Sequence, residues 1–318
     1  MPRTSAADLL GSSLAIVRTT RLAEQLAPSK DPVLILGEPG TGKTTLARFI
    51  HARSKRSGSF LSFSVASSTD ELALAALFGH SRGAYTGADR ERPGLIESAR
   101  DGTLLLDELG LASERVQAAL LSLFDPEALR RIGEDRPRIA TTRFLFATNT
   151  ELRSAVEQGK FRRDLLDRIG YLVVRMPPLR ERRLDIPLLF DAFLAEAQAE
   201  PGAELPPTSV DPAVYDFLVG FHWPGNVRQL QNVARAAALL AEPGEPLGIR
   251  HFPPEFLVEL NLSANGKTPD LIDLAEAALD RAAGNESEAA RALHLARSTF
   301  RRLVERGRRR REPSGGQT

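Results

Sequence analysis

The sequence contains no cysteine, which excludes disulfide cross-links, thiolate-bound zinc and thiol nucleophiles, and fits a reducing cytoplasm. Lysine is nearly as scarce: Lys30, Lys43, Lys55, Lys160 and Lys267 are the whole set, so the positive charge is almost all arginine. The histidines (His51, His80, His222, His251, His294) are scattered without ligand spacing, so no metal site is expected to rest on them. No apolar run approaches the ~20 residues that a membrane-spanning helix needs. The first residues also lack the basic and apolar regions of a signal peptide. A soluble, cytoplasmic protein with no membrane partner is the expectation. The net charge is only +1, so no bulk field draws the whole chain to nucleic acid.

What is present begins with ordinary globular material: 318 residues, 42% hydrophobic and 26% charged, enough for more than one core. The most informative string is Gly37-Glu38-Pro39-Gly40-Thr41-Gly42-Lys43-Thr44, followed by Thr45. It lies directly after the apolar run Val33–Leu36 and before the helical pattern Leu46–Ile50. Strand, glycine loop and helix in that order form the context of a phosphate-binding P-loop. Glycines let backbone N–H groups turn toward anionic oxygens, and the helix N-terminus adds a favourable dipole. Lys43 is expected to reach the β- and γ-phosphates, and the Thr44 hydroxyl to hold Mg²⁺. The chain is expected to bind a nucleoside triphosphate.

Five short apolar runs alternate with helical patterns: Val33–Leu36, Phe60–Val65, Thr103–Leu106, Phe144–Ala147 and Leu172–Val174. Such runs indicate a parallel sheet covered on both faces. Residues 1–175 therefore read as one three-layer α/β domain. Strand signals stop after Met176-Pro177-Pro178. Helical periodicity over 185–200 and 211–241 predicts an all-helical subdomain at 176–243. Residues 244–269, rich in proline and glycine, read as a linker, with Phe252, Phe256 and Leu257 able to dock part of it. Helical patterning returns over 270–312, with Gly284-Asn285 as a helix stop and new start. The tail 313–318 is expected to be disordered.

A second buried run, Thr103–Leu106, ends in Asp107-Glu108. In a P-loop fold this pair suits the second nucleotide motif, with Asp107 orienting the Mg²⁺ shell and Glu108 polarising the attacking water. Phe144–Ala147 ends in Thr148-Asn149, an amide placed to touch both that water and the γ-phosphate. Arg162 and Arg168 lie six apart in Phe161–Arg168, and a guanidinium at the γ-phosphate is worth on the order of 10³–10⁵ in rate. Solvated acids, a common loop amide and surface arginines are the plain alternatives for each taken alone.

The string Gly83-Ala84-Tyr85-Thr86-Gly87-Ala88 resembles the GAFTGA loop of the AAA+ activators of sigma-54 RNA polymerase, the bacterial enhancer-binding proteins. Residues 176–188 and 223–230 resemble further signatures of that family, and the similarity runs from about 9 to 241, resuming near 271. The resemblance implies an α/β AAA+ P-loop domain with a helical lid, assembled as a hexamer and hydrolysing ATP to open the closed complex of the sigma-54 holoenzyme. It further implies that Asp107 and Glu108 are the Walker B pair and Asn149 is sensor I. Arg162 and Arg168 become arginine fingers acting in trans, Arg228 becomes the sensor II arginine, and Gly83–Ala88 becomes the sigma-contact loop. Three departures stand out: Tyr85 for phenylalanine, Thr44 for glutamate, and Ser64 for an asparagine that pairs with the Walker B glutamate. The short serine hydroxyl puts its reach to Glu108 in question.

Residues 284–300 resemble a Fis-type helix-turn-helix. Phe300, Leu303 and Val304 share one helical face. Arg297, Ser298, Thr299, Arg301 and Arg302 are expected to meet DNA, with arginine suited to guanine edges and Arg308–Arg311 to phosphates. Residues 291–311 hold nine arginines against the single acid Glu305. Sigma-54-dependent activation from an upstream DNA site is the leading reading. A different DNA-associated AAA+ remodelling ATPase, or an ATP-binding DNA regulator not coupled to sigma, are the alternatives. With no sensory segment before the similarity begins, control by a separate inhibitory protein or by expression level is expected.

Overall fold

The computed structural model describes residues 9–83, 90–125, 129–199, 209–242, 244–253, 256–257, 279, 282, 284–292, 301 and 304. The chain divides into two compact units between Arg182 and Arg183, rather than after residue 175, the bound read for the α/β domain. The segment after the last strand stays with the first unit because it is bonded to it. Met176 N–H donates to Leu36 O at 2.7 Å, Leu179 is buried, and Arg182 Nη2 donates to Thr41 O at 2.8 Å.

In chain order the first unit comprises α1 (Leu14–Leu26), β1 (Val33–Leu36), α2 (Lys43–Arg53), β2 (Phe60–Ser64) and α3 (Asp70–Phe78). There follow β3 (Gly79–His80), β4 (Arg92–Pro93), α4 (Leu95–Ser98), β5 (Thr103–Asp107) and α5 (Glu114–Leu120). The unit closes with β6 (Arg143–Thr148), α6 (Leu152–Glu157), α7 (Arg163–Ile169) and β7 (Val173–Arg175). β2, β5, β6, β1 and β7 form one sheet in that order, and every pairing is parallel. These are the five apolar runs. The three inner strands are buried because successive side chains face opposite sides and both sides are covered, whereas the edge strands β2 and β7 are only partly buried. Val33, Ile35, Leu105, Leu145 and Ala147 pack with Ile16 of α1 and Leu46, Phe49 and Ile50 of α2. Leu34, Leu36, Leu104, Leu106, Phe144 and Phe146 pack with Leu77 of α3, Val116 of α5 and Leu165 of α7.

A buried cation fastens α1 to this sheet. Arg143 opens β6 at 1% exposure, and its guanidinium donates to Leu26 O, Ala27 O and Asp31 O, just past the helix C-terminus. Carbonyls at that end carry the negative pole of the helix dipole. Burial, with Arg56 nearby, pushes the Arg143 pKa down to about 10, so the group remains charged at neutral pH.

The second unit contains α8 (Ile186–Gln198), α9 (Pro212–Gly220) and α10 (Asn226–Leu240). Ile186, Phe190, Leu194, Leu218, Leu230 and Ala234 are buried in it. The only tryptophan, Trp223, is fully buried and donates its indole N–H to Leu218 O at 2.8 Å. The described part of 244–257 is not a free linker. Leu247 N–H donates to Ser209 O at 2.8 Å, Phe252 stacks on Phe190 with ring centres 6.1 Å apart, and Phe256 stacks on Trp223 at 5.4 Å. Prolines and glycines erase helical periodicity there, while the aromatic rings supply the burial.

Further along, Gly284 adopts φ +86° and Asn285 Oδ1 accepts from Ser287 N and Glu288 N, capping the helix Glu286–Ala292. That is the stop and start read from Gly284-Asn285. Arg301 pairs with Glu286 at 3.3 Å. Arg297, Ser298, Thr299 and Arg302 lie outside the described residues. No helix among the described residues is long and apolar enough to cross a membrane.

Candidate functional site

Because the strands are parallel, the residues that follow them gather at one edge of the sheet, the place where α/β folds bind ligands. Gly37 follows β1, Asp107 ends β5, and Thr148 ends β6 with Asn149 just beyond. Register sets Ser64 of β2 beside Asp107.

The loop 37–42 is built for close approach. A Cβ on Gly37 would stand 2.9 Å from Met176 Cβ and 3.0 Å from Thr41 Oγ1, so only glycine fits between loop and chain. Gly42 takes φ +101° immediately before α2, and no side chain caps that helix. An uncapped helix N-terminus presents N–H donors and a positive dipole to an anion. The Lys43 ammonium donates to Gly37 O at 2.9 Å and Glu38 O at 3.1 Å, folded over the loop that it would leave for a phosphate. Thr41, almost fully buried, donates its hydroxyl to Glu38 O at 2.8 Å. Pro39 is exposed, and Gly40, Thr44 and Thr45 are partly buried.

Across the sheet edge, Thr44 Oγ1 lies 3.4 Å from Asp107 Oδ2, and Asp107 Oδ1 accepts from Glu108 N–H at 2.8 Å. Glu108 itself has φ +58°, a left-handed conformation that is uncommon for glutamate. Its carboxylate is not alone. Ser64 Oγ donates a hydrogen bond to Glu108 Oε2, so the serine does reach, contrary to the doubt raised by its length. Pairing of Ser64 directly with Asp107 in the parallel ladder supplies the proximity that a shorter side chain needs.

Thr44 and Asp107 bring one hydroxyl and one carboxylate oxygen together. This hard, sparse donor set suits Mg²⁺, which keeps waters and phosphate oxygens as its remaining ligands. No cluster of three or more His, Cys, Asp or Glu capable of holding a metal by itself occurs among the described residues.

Asn149 and Arg168 are exposed. The Arg162 guanidinium forms a two-pronged pair with Asp164 at 3.1 and 2.8 Å, which raises its pKa and lowers that of Asp164. Arg228 is an exposed residue in the first turn of α10, in the second unit. Gly83 has φ +80°, whereas Ala84, Tyr85, Thr86, Gly87 and Ala88 lie outside the described residues. The base of that loop is braced. β3 and β4 pair across it, Ser81 N–H donates to Ile132 O at 3.0 Å, and Arg131 forms a two-pronged pair with Glu97 at 2.6 and 2.7 Å.

Two further residues that position this site were not read from the sequence as site residues. The buried Thr148 hydroxyl accepts from Gly110 N at 3.3 Å and Thr150 N at 3.0 Å, stitching the segment after Glu108 to the segment holding Asn149. Arg180 clasps Glu38 at 2.8 and 2.6 Å. A lone threonine, glutamine or arginine becomes visible only through its partners.

Comparison with known proteins agrees with this geometry. Residues 9–175 match the family described as the Sigma-54 interaction domain, and residues 180–269 match the AAA+ ATPase lid domain. The transcriptional regulatory protein ZraR of Salmonella typhimurium is 37% identical over 309 residues, covering 94% of this chain and 69% of that protein. The Psp operon transcriptional activator of Escherichia coli is 41% identical over 227 residues, covering 71% of this chain and 70% of that one. Among solved structures, NtrX from Brucella abortus in complex with ATP matches with a TM-score of 0.70 at 29% identity, over 96% of this chain and 69% of that chain. With its P-loop, its parallel sheet and its lid, the chain belongs to the Sigma-54 interaction domain family and is an ATP-binding AAA+ ATPase.

Proposed function

We propose that this protein is a sigma-54-dependent transcriptional activator that hydrolyses ATP in a homo-oligomeric ring, a hexamer on the family pattern, to open the sigma-54 RNA polymerase closed complex. The observation that carries this reading is the joining of Ser64, Glu108, Asp107 and Thr44 beside the P-loop in a chain of this family. Lys43 leaves the carbonyls of Gly37 and Glu38 for the β- and γ-phosphates. Thr44 and Asp107 would hold Mg²⁺, which neutralises phosphate charge when bound. Glu108 polarises the attacking water once Ser64 releases it, and Asn149 senses the γ-phosphate. Arg162 and Arg168 act on the triphosphate of the neighbouring subunit, and Arg228 serves as the lid arginine. Tyr85, within Gly83–Ala88, engages the sigma factor. Arg297, Ser298, Thr299, Arg301 and Arg302 bind upstream DNA in the cytoplasm.

The test is open-complex formation on a sigma-54 promoter by the full chain with ATP. Native protein is expected to open it, Lys43→Ala to lose both hydrolysis and opening, and Tyr85→Ala to hydrolyse ATP without opening. Hydrolysis with no promoter opening by native protein overturns coupling to sigma and leaves a different remodelling ATPase. DNA binding without hydrolysis overturns the ATPase reading altogether.

A further inference from the structure

Gln117 lies in α5 and is 1% exposed. A buried primary amide needs partners for two N–H groups and for its oxygen, and this one has them in two separate segments. Nε2 donates to Ala112 O at 2.8 Å and to Lys160 O at 3.1 Å, while Oε1 accepts from Arg162 N–H at 2.8 Å. All three partners are main-chain groups of fixed character, so the amide has only one workable orientation. Reversing it would set its N–H₂ against a backbone N–H and its oxygen against two carbonyls.

The two segments have different roles in the reading proposed above, on which this inference rests. Ala112 closes the short 3₁₀ turn Leu109–Leu111 that begins at Glu108. Within the turn Leu111 N–H donates to Glu108 O at 2.9 Å and Ala112 N–H to Leu109 O at 3.1 Å, so the backbone of Glu108 is tied to that of Ala112. Lys160 and Arg162 form the base of the finger. Phe161 between them is buried, and Arg162 is the residue from which α7 starts. Glu108 acts on the triphosphate of its own subunit, and Arg162 acts on that of the neighbour.

We propose that Gln117 is a positioning residue that joins these two sites, so that a shift at Glu108 is transmitted to the arginine offered to the next subunit. It touches no reacting atom. It fixes the peptide carrying Arg162 relative to the peptide that follows Glu108, and in a ring this links successive hydrolysis events.

Two measurements on the full chain test this. The first compares steady-state hydrolysis by native protein and Gln117→Met, which keeps length and apolar bulk but cannot make the three bonds. The expected result is a kcat lower by on the order of 10–100-fold, as for a small misplacement of a catalytic group, with KM for ATP within about twofold because the P-loop is untouched. The second is hydrogen–deuterium exchange with and without β,γ-imido ATP. In native protein the analogue is expected to alter exchange in both 109–113 and 160–163. In Gln117→Met the change at 160–163 is lost, while that at the P-loop persists. A kcat within about twofold of native, or a finger segment that still responds in the variant, overturns the proposal. Should Gln117→Met fail to fold, the native chain alone decides: a response at 109–113 with none at 160–163 overturns it. Native protein that neither binds nor hydrolyses ATP defeats the functional reading itself, an outcome distinct from failure of Gln117 alone.

Discussion

Removal of the Ser64 hydroxyl isolates one interaction of the site without disturbing its scaffold. Ser64 is partly exposed, its carbonyl keeps the hydrogen bonds from Ser67, and its strand keeps its register with β5. Ser64→Ala therefore removes the bond to Glu108 and little else. A hydrogen bond to a charged group is worth about 1.5–3 kcal/mol when protected, and solvent screening at this exposed pair reduces it to about 1 kcal/mol. That corresponds to about a fivefold preference for the restrained carboxylate. If Glu108 must leave Ser64 to polarise water, basal kcat in Ser64→Ala rises by up to about fivefold with KM for ATP unchanged. Ser64→Asn, which restores a donor, stays near the native rate. A coupled phosphate-release assay across ATP concentrations reads both parameters. A Ser64→Ala rate equal to or below native refutes the idea that the serine restrains Glu108.

Two further outcomes follow from buried and charged groups. Arg143→Met removes the donor to Leu26 O and Ala27 O at the end of α1 and to Asp31 O in the loop beyond it and is expected to cost about 2–4 kcal/mol, read as a lower urea midpoint; an unchanged midpoint refutes the role of the cation in holding α1. Glu97 has a folded-state pKa below its ordinary value, chiefly through the hydrogen bond from Arg131, and burial lowers that of His51. A depressed folded-state pKa gives stability that is present above the unfolded value and lost as pH falls through the folded one. The melting temperature should therefore decline first below the ordinary histidine range and again below the ordinary carboxylate range. Glu97→Gln should flatten the second decline only, and a profile identical to native refutes that assignment.

Local order determined much of this protein. Four apolar residues before a glycine loop point to a buried strand feeding a helix N-terminus, so β1, the P-loop and α2 were legible, as were the other four strands of the parallel sheet, whereas the short β3–β4 pair was not. The same holds for Asp107-Glu108, since a carboxylate pair at the end of a buried strand has one edge of the sheet to occupy. Tertiary structure decided what depends on partners distant in sequence. Whether Ser64 reaches Glu108 is set by strand register, not by side-chain length alone. Gln117, Thr148 and Arg182 gain their roles only from backbone atoms brought beside them by folding. Residues 244–257 look like a linker because proline and glycine hide periodicity, yet Phe252 and Phe256 are buried against Phe190 and Trp223. Sequence carries periodicity and chemistry; the matching of a buried polar group to its acceptor exists only once the chain is packed.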